Sequence, residues 1–209
     1  MPRALRAPEP AKLMTLEEWA ALDDEVEGEL VDGVLEGEEM PSFLHEIVVA
    51  WFIRVVGSWV RRRRGQVAAS ETKIAVGIRR GRKPDLSVYL PSGMPALLDP
   101  LVRTPPHVVV EVASPRPRDI RRDRVDKIAD YARARVPYYW IIDPALRSFE
   151  VFELGRDRRY TLALSANAGR VRVPGCPRLS IDLDQLWGEV DEAARLHAQR
   201  SRRPRRRNT

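Results

Sequence analysis

The sequence predicts a mixed α/β fold, a β-sheet held between helices, and three observations carry that reading. From Ser42 the apolar residues Leu44, Ile47, Val48, Trp51, Val55 and Trp59 recur at helical spacing. His107 to Ala113 is almost wholly β-branched and apolar, the pattern of a central strand covered on both faces. Around these two segments, short strand-like runs mix with further helical ones along a chain of 209 residues, 44% hydrophobic and 32% charged, enough for a sizeable core.

Taken in order, Thr15 and Glu18 have capping-box spacing and predict a helix over 15–23. Leu30-Val31 and Val34-Leu35 flank Asp32-Gly33, a hairpin with a tight turn. The long helix from Ser42 closes in the basic run Arg61 to Arg64 before Gly65. Strands follow at 66–70, 73–76, 86–90 and 107–113, then a helix from Asp119 to about Arg135 and a core strand over 138–142. The segments 149–154, 160–165 and 171–173 read as a small antiparallel appendage, and 182–198 as a closing amphipathic helix. The expected organisation is a loose leader over 1–14, one domain over 15–198 and an Arg-rich disordered tail over 199–209.

Composition narrows the function classes. The formal charge is +6, but the last ten residues hold six arginines and no acid, so residues 1–199 are neutral overall. Such a tail could hold phosphate backbones without reading sequence, or simply be a solvated end. The longest uninterrupted apolar run is Ile47 to Ile53, so no membrane span is expected. The leader lacks the apolar block of a secretory signal, and a cytoplasmic location is the expectation. One cysteine, Cys176, excludes an internal disulfide and a thiolate zinc site. There is no Gly-Lys pair and no GxSxG, which removes P-loop and nucleophile-elbow chemistry. His45-Glu46 opens like a metalloprotease HExxH, but Val49 stands where the second histidine belongs.

Two acids occupy unusual positions. Glu111 lies inside an apolar strand, where an isolated carboxylate costs several kcal/mol or more and needs a cation, a donor network or a raised pKa. Asp85 opens the strand after Pro84 and could face a cleft. Acids from neighbouring strands converging at one sheet end would suit a hard divalent cation with oxygen ligands and waters, magnesium better than zinc. The alternative is Glu111 paired with an arginine and Asp85 capping its strand. Farther on, Asp123, Lys127 and Tyr131 share one helical stripe, opposite an expected core face of Val125, Ile128, Ala129 and Ala132. That geometry keeps Lys127 out of the core, facing a cleft or solvent, with an ordinary Asp-Lys surface pair as the alternative. Lysine is rare here, at Lys12, Lys73, Lys83 and Lys127 among 36 basic residues, so an ammonium at 127 suggests point-charge or proton chemistry.

Together these residues resemble the PD-(D/E)XK nuclease superfamily, and within it the Uma-type restriction endonuclease family of bacteria. The points of likeness are Glu29-Leu-Val-Asp-Gly33, Pro41, His45, Pro84-Asp85, Val110-Glu-Val-Ala-Ser-Pro115, Asp123, Lys127, Tyr131 and Tyr139-Trp140-Ile-Ile-Asp143, in order over about 15–155. The resemblance implies a restriction-endonuclease-like core and a nuclease that uses Mg²⁺, with Mn²⁺ as substitute. In it Asp85 and Glu111 hold the metal with the carbonyl of Val112, Lys127 orients the attacking water, and Glu29 binds water or a second ion. His45, Asp123 and Tyr131 match as accessory positions. Two departures stand out: Ala113 replaces the superfamily's usual lysine, with Lys127 taking its place as in the Uma-type family, and Tyr138 replaces a glutamate.

Three basic clusters are candidate nucleic-acid contacts: Arg61, Arg62, Arg63 and Arg64; Arg79, Arg80, Arg82 and Lys83; and Arg116, Arg118, Arg121 and Arg122. The competing reading pairs them with the 30 acids as solvated surface. The implied partner is nucleic acid, DNA first, with a homodimer expected by analogy with enzymes that cut both strands. Two rival classes remain open at this level: a nucleic-acid-binding or regulatory protein keeping the fold with little turnover, and an accessory protein active only with a partner subunit.

Overall fold

A computed structural model describes residues 12–23, 25–37, 40–114 and 122–201, with the side chains of residues 200 and 201 left undescribed. Most of the expected leader and tail, and the start of the helix expected at Asp119, fall outside these residues. The short helix α1 (Leu16–Ala20) is capped as its spacing predicts, with both hydrogen bonds of the Thr15/Glu18 box formed. The hairpin β1 (Glu29–Val31) and β2 (Val34–Glu36) turns through Asp32 and Gly33, both at positive φ (51° and 82°). Ser42 caps α2 (Phe43–Arg61) by accepting the N–H of His45.

The central sheet has six strands in the order β10-β9-β8-β7-β6-β3. These are β3 (Gln66–Ala69), β6 (Leu86–Tyr89), β7 (Val108–Val112), β8 (Tyr138–Asp143), β9 (Ser148–Leu154) and β10 (Tyr160–Ala166). Only β7 and β8 pair in parallel, and the chain crosses between them through α3 (Lys127–Arg133). A second sheet, β2-β1-β5-β4, adds β4 (Ile74–Gly77) and β5 (Arg80–Arg82).

The sheet separates two cores. On one face Val108, Val110 and Val112 of β7 pack with α2, α4 (Leu183–Ser201) and Trp140. On the other, Val109 and Ala113 pack with Tyr131 and Val136. Each such aliphatic side chain taken from water contributes about 1.5–3 kcal/mol. By length and composition α2 could cross a membrane, but Val48, Val49, Trp51, Phe52, Val56, Trp59 and Val60 are spent on the first core.

Three elements differ from expectation. β9 and β10 extend the main sheet, because the register Trp140↔Val151 and Ile142↔Phe149 buries alternate β9 residues in the first core. The appendage is the smaller pair β11 (Arg170–Arg172) and β12 (Ser180–Asp182). β5 had no apolar signal. Its Gly81 lies so close to Trp19 that a Cβ there would meet the indole ring at 2.1 Å.

Candidate active site

Strand alternation puts Glu111 on the α3 side of the sheet, beside Val109 and Ala113. It is buried, 3% exposed, and both its oxygens are engaged: Lys127 Nζ donates to Oε2 at 2.8 Å and Tyr131 Oη to Oε1 at 2.6 Å. Asp85, just before β6, accepts the Val112 N–H at 2.6 Å, which pins it at the same strand end. His45 Nε2 lies 3.1 Å from the same Asp85 Oδ2, so the start of α2 closes one side of the site. Among the described residues Asp85 Oδ1 makes no hydrogen bond.

Lys127 is the hub. Besides Glu111, its ammonium lies 3.6 Å from Glu29 Oε1 and 3.6 Å from Asp123 Oδ1. A π-helical turn, Arg122–Asp126, leads into α3 and carries Asp123 to this position, its carbonyl held by Tyr139 Oη at 3.0 Å. Asp85, Glu111, Val112, Lys127, Asp123 and His45 all line one open cavity of about 320 Å³. The convergence expected of Asp85, Glu111 and Lys127 is present, and Glu29 adjoins it, buried, from β1.

The charges are out of balance. Burial pushes the Glu111 carboxyl up to about 8 against the pull of Lys127, and Asp85, Asp123 and Glu29 add to the rise. Burial disfavours the Lys127 ammonium, but its carboxylate neighbours outweigh that and raise its pKa. Glu29 is also penalised by burial, yet Lys127 and Arg82 hold it below the ordinary range. His45, half-shielded, is lifted to about 9 because Asp85 and Glu46 overcome its desolvation. A site with this surplus of hard oxygen donors fits a divalent cation. Among the described residues no group of three His, Cys, Asp or Glu side chains forms a protein cage, so such an ion would keep several waters, as Mg²⁺ does.

Several expectations need correction. The helix carrying Lys127 turns its polar stripe inward: Asp123, Lys127, Asp130 and Tyr131 are buried, while of the expected core face Ala132 is buried and Ile128 packs on the core but Val125 and Ala129 are exposed. The polar stripe faces the site because the site, not solvent, satisfies it. The second basic cluster does not offer itself to nucleic acid. Arg82 is 1% exposed, bonded to Glu29 (2.6 Å) and Asp130 (2.6 Å), and Arg80 holds Asp130 (3.0 Å) and Asp32. Lys83 is buried and pairs with Glu71, and Arg79 alone of the four is exposed.

The first cluster, Arg61 to Arg64, sits at the far end of α2 from His45, about 25 Å away at 1.5 Å per residue. In the third, Arg122 lines the cavity, and Arg116, Arg118 and Arg121 lie outside the described residues. Asp130, which anchors Arg82, was missed by sequence reasoning, and Arg82 was given a nucleic-acid role instead of its bond to Glu29, since nothing local links residues so far apart. Tyr138 stands at the start of β8, paired with Val108, and bonds Glu153, so its replacement of a glutamate leaves the site untouched.

Against this geometry, the Uma2 family model, described as "putative restriction endonuclease", matches residues 13–184. The chain belongs to the Uma2 family. Among solved structures, this Uma2 chain is similar to a crystal structure of a "putative nuclease belonging to DUF820" from Anabaena variabilis. The TM-score is 0.69 at 20% identity, covering 85% of this chain and 99% of that one, a likeness of fold. No curated protein matches the chain. The Uma2 match spans every described residue placed in the cavity.

Proposed function

We propose that this Uma2-family protein is a metal-dependent endonuclease that hydrolyses phosphodiester bonds of DNA, with Mg²⁺ held by Asp85 and Glu111 and Mn²⁺ as substitute. The observation that carries the reading is the meeting of Asp85, Glu111 and Lys127 around one open cavity. When bound there, Mg²⁺ supplies a more acidic water and positive charge for the phosphoryl oxygens. The carbonyl of Val112, at the same strand end, would be a further oxygen ligand.

The chain's own groups do the rest. Tyr131 orients Glu111 by donating to Oε1, leaving a lone pair on each carboxylate oxygen for the cation. His45 and the Val112 N–H fix the Asp85 carboxylate through Oδ2. Lys127, kept protonated by its carboxylate neighbours, stabilises negative charge as it develops on the phosphate and orients the attacking water. Glu29, locked by Arg82 and the Lys83 N–H, holds Lys127 in place.

A second reading, a DNA-binding protein with little turnover, draws on the two hydrogen bonds that already occupy Glu111. Incubating supercoiled plasmid with wild type, Asp85→Asn and Lys127→Ala in Mg²⁺ or Mn²⁺ separates the two. Nicking by wild type alone is expected, and an inert wild type that still binds DNA leaves the second reading standing.

A further inference from the structure

We propose a second phosphate-binding site, remote from the cleavage site, at the C-terminal end of α2. It rests on the nuclease reading above for the identity of its ligand, the backbone of the same nucleic acid. A cavity of about 480 Å³ opens there, lined by Ser58, Trp59, Arg62, Arg63, Arg178 and Ser180.

Its charge is uncompensated. Arg63 lies over the Trp59 ring, 4.3 Å from the centroid, and donates to the carbonyls of Trp59 and Pro177. Carbonyl dipoles fix that guanidinium without neutralising it. Among the described residues, none of Arg61, Arg62, Arg63, Arg64 and Arg178 has a carboxylate partner, whereas Arg54 on the same helix pairs with Glu189 at 2.5 Å. Three guanidiniums, those of Arg62, Arg63 and Arg178, line the cavity without an acid and favour an anion with several negative charges. Guanidinium forks and serine hydroxyls suit phosphate oxygens.

Arg63 already covers the indole face, so the pocket offers no open ring for a base to stack on. Phosphates, not bases, are what it can grip, and such contacts place a duplex without reading it. The two sites are linked by α2, and the 17 residues from His45 to Arg62 correspond to about 25 Å. At roughly 3.4 Å per base-pair step, a duplex touching both must extend about 7 base pairs from the cut.

Binding of a fluorescein-labelled 24-base-pair duplex and of a short duplex, a hairpin with a 4-base-pair stem, followed by anisotropy in EDTA so that nothing is cut, tests this. Arg62→Ser/Arg178→Ser changes two exposed side chains, and Arg158→Ser/Arg159→Ser removes the same charge from the exposed β9–β10 turn. The pocket variant is expected to bind the long duplex about tenfold more weakly, with a salt slope shallower by about 2. The short duplex, and the turn variant, should show no such loss. Equal losses in both variants, or none in the pocket variant, overturn the proposal. So does binding of pyrophosphate, read by titration calorimetry, in a protein with no duplex affinity, which would make the ligand a free phosphate compound. Long-duplex binding that follows the expected pattern in a protein that never cuts leaves this site standing and removes the nuclease reading instead.

Discussion

The ammonium of Lys127 lies 2.8 Å from the carboxylate of Glu111, although one belongs to a helix and the other to a strand sixteen residues away. The pair is buried on both sides, and two more acids stand 3.6 Å from the same nitrogen. That crowding sets what each change at the site should do.

Removing the ammonium with Lys127→Ala should lower cleavage by about 10²- to 10³-fold, the usual scale for losing one preorganised charge at a developing oxyanion. Because Glu29 and Asp123 lose the cation beside them, the melting temperature in EDTA should drop as well. Single-turnover cleavage and calorimetry read the two effects separately, and unchanged cleavage would exclude a direct part for Lys127.

Glu111→Gln should abolish cleavage yet leave metal-free stability equal or higher. With its pKa raised by burial to about 8, Glu111 holds a proton in the folded protein that the unfolded chain has released near pH 4.3. Its contribution to stability is therefore full below about pH 4.3 and lost as pH rises through about 8. Denaturation in EDTA from pH 4 to 9 should show this slope in wild type and not in the glutamine variant.

Mg²⁺ binding at the same carboxylate should expel that proton. Affinity should rise between pH 6 and 8, and titration calorimetry in buffers of different ionisation enthalpy should report proton release below pH 8. An affinity flat over that interval would mean that the ion binds elsewhere.

His45 offers an independent check on Asp85. Its pKa of about 9 exceeds the unfolded value of about 6.5, so its pairing adds stability fully present below pH 6.5 and lost as pH rises through about 9. Asp85→Asn should return the His45 imidazole resonance toward an ordinary midpoint in an NMR titration.

Arg82→Met should cost about 3–5 kcal/mol, because it leaves Glu29 and Asp130 as buried charges without their guanidinium. Urea denaturation measures the loss, and a change under 1 kcal/mol would show that Arg80 and Lys127 can take over.

How much of this was readable from sequence follows from what each residue's neighbours are. Glu111 announces itself because an acid within Val108–Val112 must have a cation or donors beside it, whether in a site or in a plain ion pair. The long helix and the hairpin follow from periodicity and turn chemistry, which are local. Arg80 and Arg82 misled for the opposite reason: adjacent in the chain, they look like a patch, while their partners Asp32, Asp130 and Glu29 lie 48 to 53 residues away. The face of α3 was misjudged because apolar spacing assumes that the buried side is the greasy side, and here buried polar groups are satisfied from other elements, Lys127 and Tyr131 by Glu111 and Asp130 by Arg82. β5 was invisible since Arg-Gly-Arg carries no strand signature, only the need for a side-chain-free residue against Trp19.

The wide turn at Arg122–Asp126 makes the spacing of this segment as consequential as its letters. Deleting one residue there would relax the coil to regular winding and spin everything downstream by roughly 100°. The ammonium would then swing off its acid with every functional side chain still encoded, an inactive protein that residue-by-residue comparison would score as intact.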